Sequence, residues 1–378
     1  MFRTHAAGLP PRRALLVLLP LVMLLSGSHA PVQPPLRIAI VGLVHGHVHG
    51  FLRDALSRPD FEVVGVYEAN ERLLAEYGQR YGVEASKRYT DLATMLAISR
   101  PDAITVFTNT FDHKRVVELA AERKIHVMME KPLAVSMEHA QAMRDAANAA
   151  GIHVLVNYET TWYASNRYVY QSINENVDYG VVRKMVVHDG HMGPREIGVQ
   201  PEFLDWLTDP VRNGGGALTD FGCYGANLMT WMMLGRRPIA VTAVLQNLKH
   251  NDPTYSLVDD EASIIVEYPT ATGIIQASWN WPYHRKDMEV YADSGYAIAV
   301  DPVKLRVRKT GEEEQITRGV SLQAPYDHPL TYLAAVVRGE VRVAPHDLSS
   351  LDNNLTVTEI LDAARVSAAT GRRVLLTR

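Results

Sequence analysis

The sequence predicts an α/β chain: a doubly wound parallel sheet in its first half, then an α+β half with a large, mainly antiparallel, open-faced sheet. Three observations predict it. Between residues 36 and 157, short apolar runs alternate with helical stretches at the spacing of strand–helix–strand units. The first run, Arg37-Ile38-Ala39-Ile40-Val41-Gly42, closes on glycine and leads straight into a helix, as a dinucleotide-binding Rossmann sheet does. From Ile239 onward the runs are short and alternate polar with apolar residues, the pattern of antiparallel strands with one covered face.

At 378 residues the chain is too long for one ordinary core. Two domains are expected: 36–157 for a nucleotide and 158–345 for substrate and oligomer contacts, with a C-terminal helix and tail, 346–378, packing back on the body. A hydrophobic fraction of 47% against 21% charged residues is globular composition. A net charge of −4 leaves no basic footprint for nucleic acid.

Residues 1–30 read as a leader. Arg12-Arg13 precede an apolar run from Ala14 to Leu25, and small residues follow to Ala30. That order is a secretory signal, too short to span a membrane, with cleavage expected after Ala30. The paired arginines resemble a twin-arginine signal, although Pro11 is not the usual preceding residue, and an ordinary secretory signal fits as well. No cysteine stands there to take a lipid, so a stable membrane anchor is not expected. The mature protein is expected in the periplasm or outside the cell. Cys223 is the only cysteine, so stability must come from core burial without an internal disulfide, and a small buried residue is expected there.

Taken in order, the glycine turn is imperfect. Gly42 holds the first glycine position, but Val44 and His47 stand at the second and third, with Gly46 and Gly50 nearby. His45, His47 and His49 alternate; spacing by two along a turn and a helix start does not converge on one face, so no metal site is expected. The second strand, Phe61 to Tyr67, ends at Glu68, an acid placed to accept from the adenosine ribose hydroxyls and to repel a 2′-phosphate; this favours NAD over NADP. After a helix over Glu71 to Tyr81, a third strand near Ala103 to Phe107 ends at Thr108-Asn109-Thr110, and His113 opens the helix Lys114 to Arg123. Ile125 to Met129 is the next strand. It delivers Glu130-Lys131-Pro132 to the carboxyl edge of the sheet, where open α/β sheets bind ligands. Pro132 biases Lys131 towards an extended backbone and makes a cis peptide affordable. The helix Met137 to Ala150 stops at Gly151, and the strand Ile152 to Val156 closes on Asn157-Tyr158. The candidate cofactor contacts are Gly42, Val44, His47, Glu68, Thr108, Asn109, His113, Glu130, Lys131 and Trp162.

From Trp162 the texture changes. A helix over about Ser165 to Asn174 leads into Val181 to His188 and a loop that carries His191. A glycine triplet, Gly214 to Gly216, then opens a helix running to Trp231, in which Asp220, Tyr224 and Asn227 stand at i, i+4 and i+7 on one face. Gly222 and Gly225 weaken that helix, which implies that something approaches its backbone closely. Runs near 239–248, 261–268, 273–281, 288–292 and 297–300 read as the antiparallel sheet. Residues 312–321 read as a loop or weak strand, and a last helix runs from about Asn354 to Thr370. The candidate substrate contacts are Lys131, His191, Asp220, Tyr224 and Asn227.

Together, Glu130-Lys131-Pro132, the glycine turn, Thr108 to His113 and the Gly214-to-Trp231 segment resemble the Gfo/Idh/MocA oxidoreductases over nearly the whole mature chain. The resemblance implies that Lys131 hydrogen-bonds the reacting oxygen and that Asp220 is an acidic residue of the substrate site. Most members have histidine where this chain has Tyr224, and often aspartate at Asn227. A tyrosine there resembles the glucose–fructose oxidoreductase and dihydrodiol dehydrogenase branch, in which it is the proton donor and acceptor. The NADP preference of glucose–fructose oxidoreductase conflicts with Glu68. The resemblance also implies a homodimer or homotetramer formed through the C-terminal sheet.

The chemistry is self-consistent. Removing hydride from a carbinol leaves a hydroxyl proton to be taken up, and a tyrosine is a poor base until a cation such as Lys131 stabilises its phenolate. The expected activity is NAD(P)-dependent oxidation or reduction at a hydroxyl or carbonyl of a carbohydrate or cyclitol. Two alternatives stand beside it: a glycosidase that uses bound NAD for transient oxidation, and a non-catalytic sugar-binding protein.

Overall fold

Five segments of the first half are too rich in Ile, Val, Ala and Met to face water on either side, and with a sixth, two-residue strand they form a parallel sheet. The computed structural model describes residues 1–2, 8, 33–175 and 179–376. The leader expected over residues 1–30, and its cleavage point at Ala30, lie outside the described residues apart from Met1, Phe2 and Gly8. Residues 35–378 form a single unit by contact.

The first sheet comprises β1 (Leu36–Val41), β2 (Phe61–Tyr67), β3 (Arg88–Tyr89), β4 (Ala103–Val106), β5 (His126–Glu130) and β6 (Val154–Asn157). Its order is β3-β2-β1-β4-β5-β6 and every pairing is parallel. The helices between are α1 (Val48–Ser57), α2 (Glu71–Tyr81), α3 (Leu92–Ser99), α4 (His113–Ala121) and α5 (Met137–Ala150). Their ends carry local signals: Asn70, Asp91 and Ser136 cap backbone N–H groups, and Gly82 and Gly151 close α2 and α5 in the left-handed conformation. The strand order reverses between β1 and β4, which opens a crevice above their carboxyl ends. Two elements of this half were not legible in the sequence, α3 and the two-residue β3. The strand expected as third is therefore the fourth.

The second half is built on α6 (Ala164–Tyr170), β7 (Val182–Gly190), α7 (Pro201–Leu207), α8 (Ala217–Asp220), α9 (Gly222–Met232), β8 (Ala240–Gln246), β9 (Glu261–Glu267), β10 (Thr272–Ser278), β11 (Arg285–Ala292), β12 (Gly295–Ala299), β13 (Lys304–Lys309), β14 (Gln315–Arg318), α10 (Pro329–Val337), α11 (Leu351–Thr370) and β15 (Val374–Leu375). A π-type turn, Gln171–Glu175, continues α6. The nine strands run β14-β13-β12-β11-β7-β10-β9-β8-β15, antiparallel except where β10 pairs with β7. One face of this sheet carries α9 and α11; the other alternates half-exposed residues such as Glu261, Ile265 and Gln276. Helix α10, in a segment expected to belong with the substrate half, lays Leu330, Leu333 and Val336 into the core of the first sheet beside Ile38 and Ile40.

Helix α9 is buried on every side. Its glycines are explained by the sheet and not by a ligand: a Cβ on Gly225 would lie 2.6 Å from Ile275 Cγ2 on β10, and one on Gly222 would lie 3.3 Å from Leu361 Cδ2 on α11. We expect Gly225→Ala to destabilise the protein by about 1–3 kcal/mol in urea unfolding, through overpacking. Ile275→Ala removes both Cγ atoms that a Cβ on Gly225 would meet, so Gly225→Ala should cost less in that background; an equal cost in either background would disprove the contact.

Candidate active site

The site is assembled where β5 ends. Glu130 and Lys131 leave the sheet edge in opposite roles, and the Lys131–Pro132 peptide is cis. Lys131 is buried and forms an ion pair with Asp220 Oδ1, while its Nζ also donates to the Asp220 carbonyl oxygen at 2.9 Å. The second carboxylate oxygen of Asp220 accepts from Trp279 Nε1 at 2.9 Å. Burial alone would lower an ammonium, but the Asp220 carboxylate holds Lys131 above its ordinary value. Asp220 in turn is held below the usual carboxylate range, against the effect of burial, by Lys131, His191 and the Trp279 indole.

The Asp220 carbonyl is available because the expected single helix is interrupted at Phe221. The N–H of Tyr224 donates to Phe221 O at 3.1 Å, and the Cys223 thiol joins Lys131 on Asp220 O at 3.3 Å. Asp259 fixes the start of α8 by accepting from Gly216 N at 2.9 Å and Leu218 N at 2.6 Å. The shared helical face inferred for Asp220, Tyr224 and Asn227 is thus corrected: Asp220 precedes the break and the other two follow it. Asn227 is not at the site. It is wholly buried and donates to Leu348 O at 2.8 Å, tying α9 to the segment before α11.

Tyr224 is 1% exposed and stands between two ammonium groups, with Lys131 Nζ 5.1 Å and Lys286 Nζ 4.9 Å from its ring centroid. Lys286 is paired with Glu159, which also accepts from Tyr163 Oη at 2.5 Å. Burial pushes the Tyr224 phenol well above its ordinary value, and the surrounding acids Glu159, Cys223, Glu130 and Asp220 push the same way. Lys131 was expected to lower it. Burial and these acids prevail instead. His191 lies behind Phe221, ring centroids 4.8 Å apart, and burial lowers its imidazole to about 4. It is a neutral acceptor for Gly193 N at 3.0 Å. Cys223 is buried as expected, and burial pushes its thiol up to about 12.

On the other side of Lys131 is the crevice over β1 and β4. Gly42 has φ +83°, and a Cβ there would lie 2.7 Å from Thr108, so glycine is required at this first position. Glu68 accepts from Leu43 N and Asn70 N, both at 2.9 Å, which sets its carboxylate at the edge of the turn. Helix α1 starts without a side-chain cap, as a helix that receives a phosphate does. Asn109 caps the turn before α4 by accepting from Asp112 N at 3.1 Å, and Thr108 Oγ1 donates to Asn109 O at 3.1 Å. His113 is buried and its Nδ1 faces Leu133 O at 3.2 Å, bracing the loop after the cis peptide. Trp162 Nε1 donates to Asn157 Oδ1 at 2.9 Å, and Asn157 Nδ2 donates to Glu130 Oε1 at 3.0 Å.

The histidine spacing argument needs correction. His45 and His47 do converge, on Glu130: His47 Nδ1 lies 3.1 Å and His45 Nε2 3.9 Å from Glu130 Oε2, and the three ligand atoms lie within 4.8 Å of one another. A carboxylate arriving from β5 brings together side chains that the local geometry of the turn would not. Hydrogen bonding accounts for the arrangement. His45 Nδ1 accepts from His47 N at 3.2 Å, so a neutral His45 carries its hydrogen on Nε2, the atom a metal would need. Among the described residues the buried His45 Nε2 has no hydrogen-bond partner and Glu130 Oε2 has only the His47 imidazole beside it, which leaves polar atoms for a ligand in the crevice. These residues fit a dinucleotide.

Several participants gave no sequence signal: Trp279, Lys286 and Glu159 at the Tyr224 side, and α7 over the glycine turn. Trp206 Nε1 donates to Val44 O at 3.1 Å, and the Phe203 ring packs on His45 at 4.4 Å. Each lies far along the chain from what it touches, and no local pattern marks it.

With this geometry in place, comparison with known proteins is informative. The family model described as "Oxidoreductase family, NAD-binding Rossmann fold" matches residues 36–158, and the "GFO/IDH/MocA C-terminal domain" matches residues 170–298. The chain belongs to the Gfo/Idh/MocA oxidoreductase family, and its first half is that family's NAD-binding fold. It is similar to a 2,7-anhydro-N-acetylneuraminate hydratase of Escherichia coli K12, 25% identical over 64% of this chain and 66% of the relative. It is also similar to a D-glucoside 3-dehydrogenase of the same organism, 28% identical over 52% of this chain and 53% of the relative. The chain thus spans less than two thirds of the length of these curated relatives. Among solved structures, an inositol dehydrogenase homolog from Azotobacter vinelandii complexed with NAD+ superposes with a TM-score of 0.77 at 21% identity, over 92% of this chain and 98% of that one. At that identity the likeness establishes the fold.

Two predictions follow from the buried charges. Asp220→Asn removes the partner of a buried ammonium and should lower unfolding stability by about 3–5 kcal/mol in urea, a loss Lys131→Met in the same chain should partly offset. Glu130 is raised by burial but lowered further by His47, His45 and Asn157, from 4.5 to about 2. Its stabilising effect is therefore complete above pH 4.5 and lost as pH falls towards 2. Glu130→Gln should remove on the order of 3 kcal/mol of acid-dependent stability in that window. An unchanged acid limb would refute the pairing.

Proposed function

We propose that the protein is an exported NAD-dependent oxidoreductase that moves hydride between nicotinamide and a carbon bearing a hydroxyl or carbonyl in a sugar or cyclitol. The observation that carries this reading is the constellation at the end of β5. A buried lysine anchored by Asp220 and Trp279, and a phenol flanked by two ammonium groups, stand beside a crevice built for a dinucleotide. The relatives named for a glucoside and for an anhydro sugar acid support a carbohydrate substrate.

Bound NAD supplies the hydride acceptor and, when oxidised, a positive charge beside the phenol. Lys131, its Nζ held by two oxygens of Asp220, donates its remaining hydrogen to the reacting oxygen and stabilises alkoxide character there. Tyr224 is the acid/base partner. Burial holds its proton firmly, so in the reduction direction it is a donor to the reacting oxygen, and in the oxidation direction it can accept a proton only as it passes its own on. Glu68 favours NAD over a 2′-phosphorylated cofactor. Neither Val44 nor His47 restores a glycine, and the turn is instead covered by Phe203 and Trp206 of α7.

That cover favours a second reading in which the cofactor stays bound and is recycled within each turnover, as in a glycosidase acting by transient oxidation. Export, inferred from residues 1–30, points the same way, because nucleotide is scarce outside the cytoplasm. Assembly into a dimer or tetramer through the open face of the nine-stranded sheet follows the family pattern and is proposed on that basis.

The deciding experiment is mass spectrometry of nucleotide released from protein taken from its native compartment, with absorbance at 340 nm on adding sugars. Release of NAD and a lasting absorbance change with a free sugar are expected. Release of a monosaccharide from a glycoside with no lasting change would select the recycling reading, and failure to bind NAD or NADP would overturn both. In the active protein, Lys131→Met and Tyr224→Phe should each lower kcat by about 10²–10⁴ while bound nucleotide is retained.

A further inference from the structure

Asp189 is the buried acid that the chemistry above leaves unused. It lies near the end of β7, two residues beyond Val187 and four beyond Met185, and so shares their buried face. It is wholly buried, and among the described residues neither carboxyl oxygen has a hydrogen-bond partner. The protein satisfies comparable groups elsewhere. Asp259 accepts from Gly216 and Leu218, and Asp260 accepts from Leu248 N at 2.9 Å and Lys249 N at 2.6 Å. A buried polar group left without partners costs stability, so its presence calls for a reason.

Its position supplies one. In the pairing of β7 with β11, Asp189 stands directly opposite Lys286, the lysine whose ammonium lies against the Tyr224 ring. Lys286 is bonded to Glu159 and not to Asp189. Around Tyr224 there are therefore two ammonium groups, each matched by its own carboxylate, and a third carboxyl with no cation of its own.

We propose that Asp189 is the proton carrier of this site, exchanging a proton with the reacting oxygen through Lys286 and Tyr224. The inference rests on the oxidoreductase reading. In the oxidation direction Lys286 gives an N–H proton to the Asp189 carboxylate, and the amine so formed takes the Tyr224 proton as Tyr224 takes that of the substrate hydroxyl. The carbon loses hydride to NAD. One O–H bond breaks at the substrate, one forms at Asp189, and Tyr224 and Lys286 end as they began. Asp189 would lose its negative charge in the step in which hydride removal neutralises an oxidised nicotinamide, so the net charge of the buried site would not change. With no cationic ring present, the protonated form of Asp189 is favoured: burial raises its carboxyl well above the usual range, Asp287 and Glu159 raise it further, and Lys286 and Lys131 oppose them without prevailing. Tyr163 and Cys223 are the other titratable groups that feel its charge.

Asp189→Asn keeps the shape and removes the exchangeable carboxyl. The cofactor-free protein should show the infrared carbonyl band of a protonated carboxyl, and the variant should lack it. The variant should melt no lower than the parent, since an unsatisfied acid is removed, yet oxidise its sugar at least tenfold more slowly with KM little changed and with a flattened pH–rate profile. Lys286→Met should show the same loss of kcat, and Lys286→Arg should recover part of it. An active parent whose Asp189→Asn variant keeps its kcat and pH profile would overturn the proposal while leaving the oxidoreductase reading intact, as would absence of the infrared band. A parent with no nucleotide-dependent activity on any sugar would overturn both.

Discussion

The rest of the structure depends on the buried pair between Lys131 and Asp220. A lysine at the end of a hydrophobic strand cannot remain charged in the interior unless its solvation is replaced, and here it is replaced by one residue twice, through carboxylate and carbonyl. That demand shapes the second half of the chain. The carbonyl is accessible because the helix is interrupted at Phe221, the carboxylate is oriented by Trp279, and the start of α8 is pinned by Asp259. Strand β5 of the first sheet is thereby joined to strand β10 of the second through two side chains and an indole. Neither sheet alone contains the site.

The same pair alters the chemistry expected of the tyrosine. A lysine whose charge is matched does little to acidify a nearby phenol, and burial with the surrounding acids makes Tyr224 hold its proton more firmly than a free tyrosine. The second cation, Lys286, is matched as well. The site is thus close to electrically balanced, and a proton moves within it only when some other charge changes. Oxidation state of a nicotinamide is such a charge, which couples the acid–base work to the redox step without requiring an unusually acidic tyrosine.

The first sheet was legible because fully buried parallel strands announce themselves as apolar runs and their helices carry caps, as at Asn70, Ser136 and Gly151. The two-residue β3 and the short α3 lack enough length for a period to show, and β13 was hidden by alternating basic residues on its exposed face. At the site, Lys131, Asp220 and Tyr224 were legible as residue types in a known context, and the structure brings them together. Asn227 was misplaced because a helical wheel assumes an uninterrupted helix, and the break at Phe221 rotates it towards Leu348. Lys286, Glu159, Trp279 and Asp189 were silent. Their roles come from strand register and long-range approach, which no local pattern records.

The glycine turn shows how a departure from a motif is absorbed. Glycines at the second and third positions let backbone and pyrophosphate approach and let helix pack on strand. Here Val44 and His47 fill those positions, and the space is re-used: His47 turns to Glu130, His45 is stacked under Phe203, and the Val44 carbonyl receives Trp206. The turn has exchanged openness for contacts with β5 and α7. A nucleotide entering it must meet imidazoles where most members offer bare backbone, and it must do so under a helix belonging to the other half of the chain. With Phe203 over His45 and Trp206 bonded to the Val44 carbonyl, the turn is braced by the second half of the chain and not by glycines of its own.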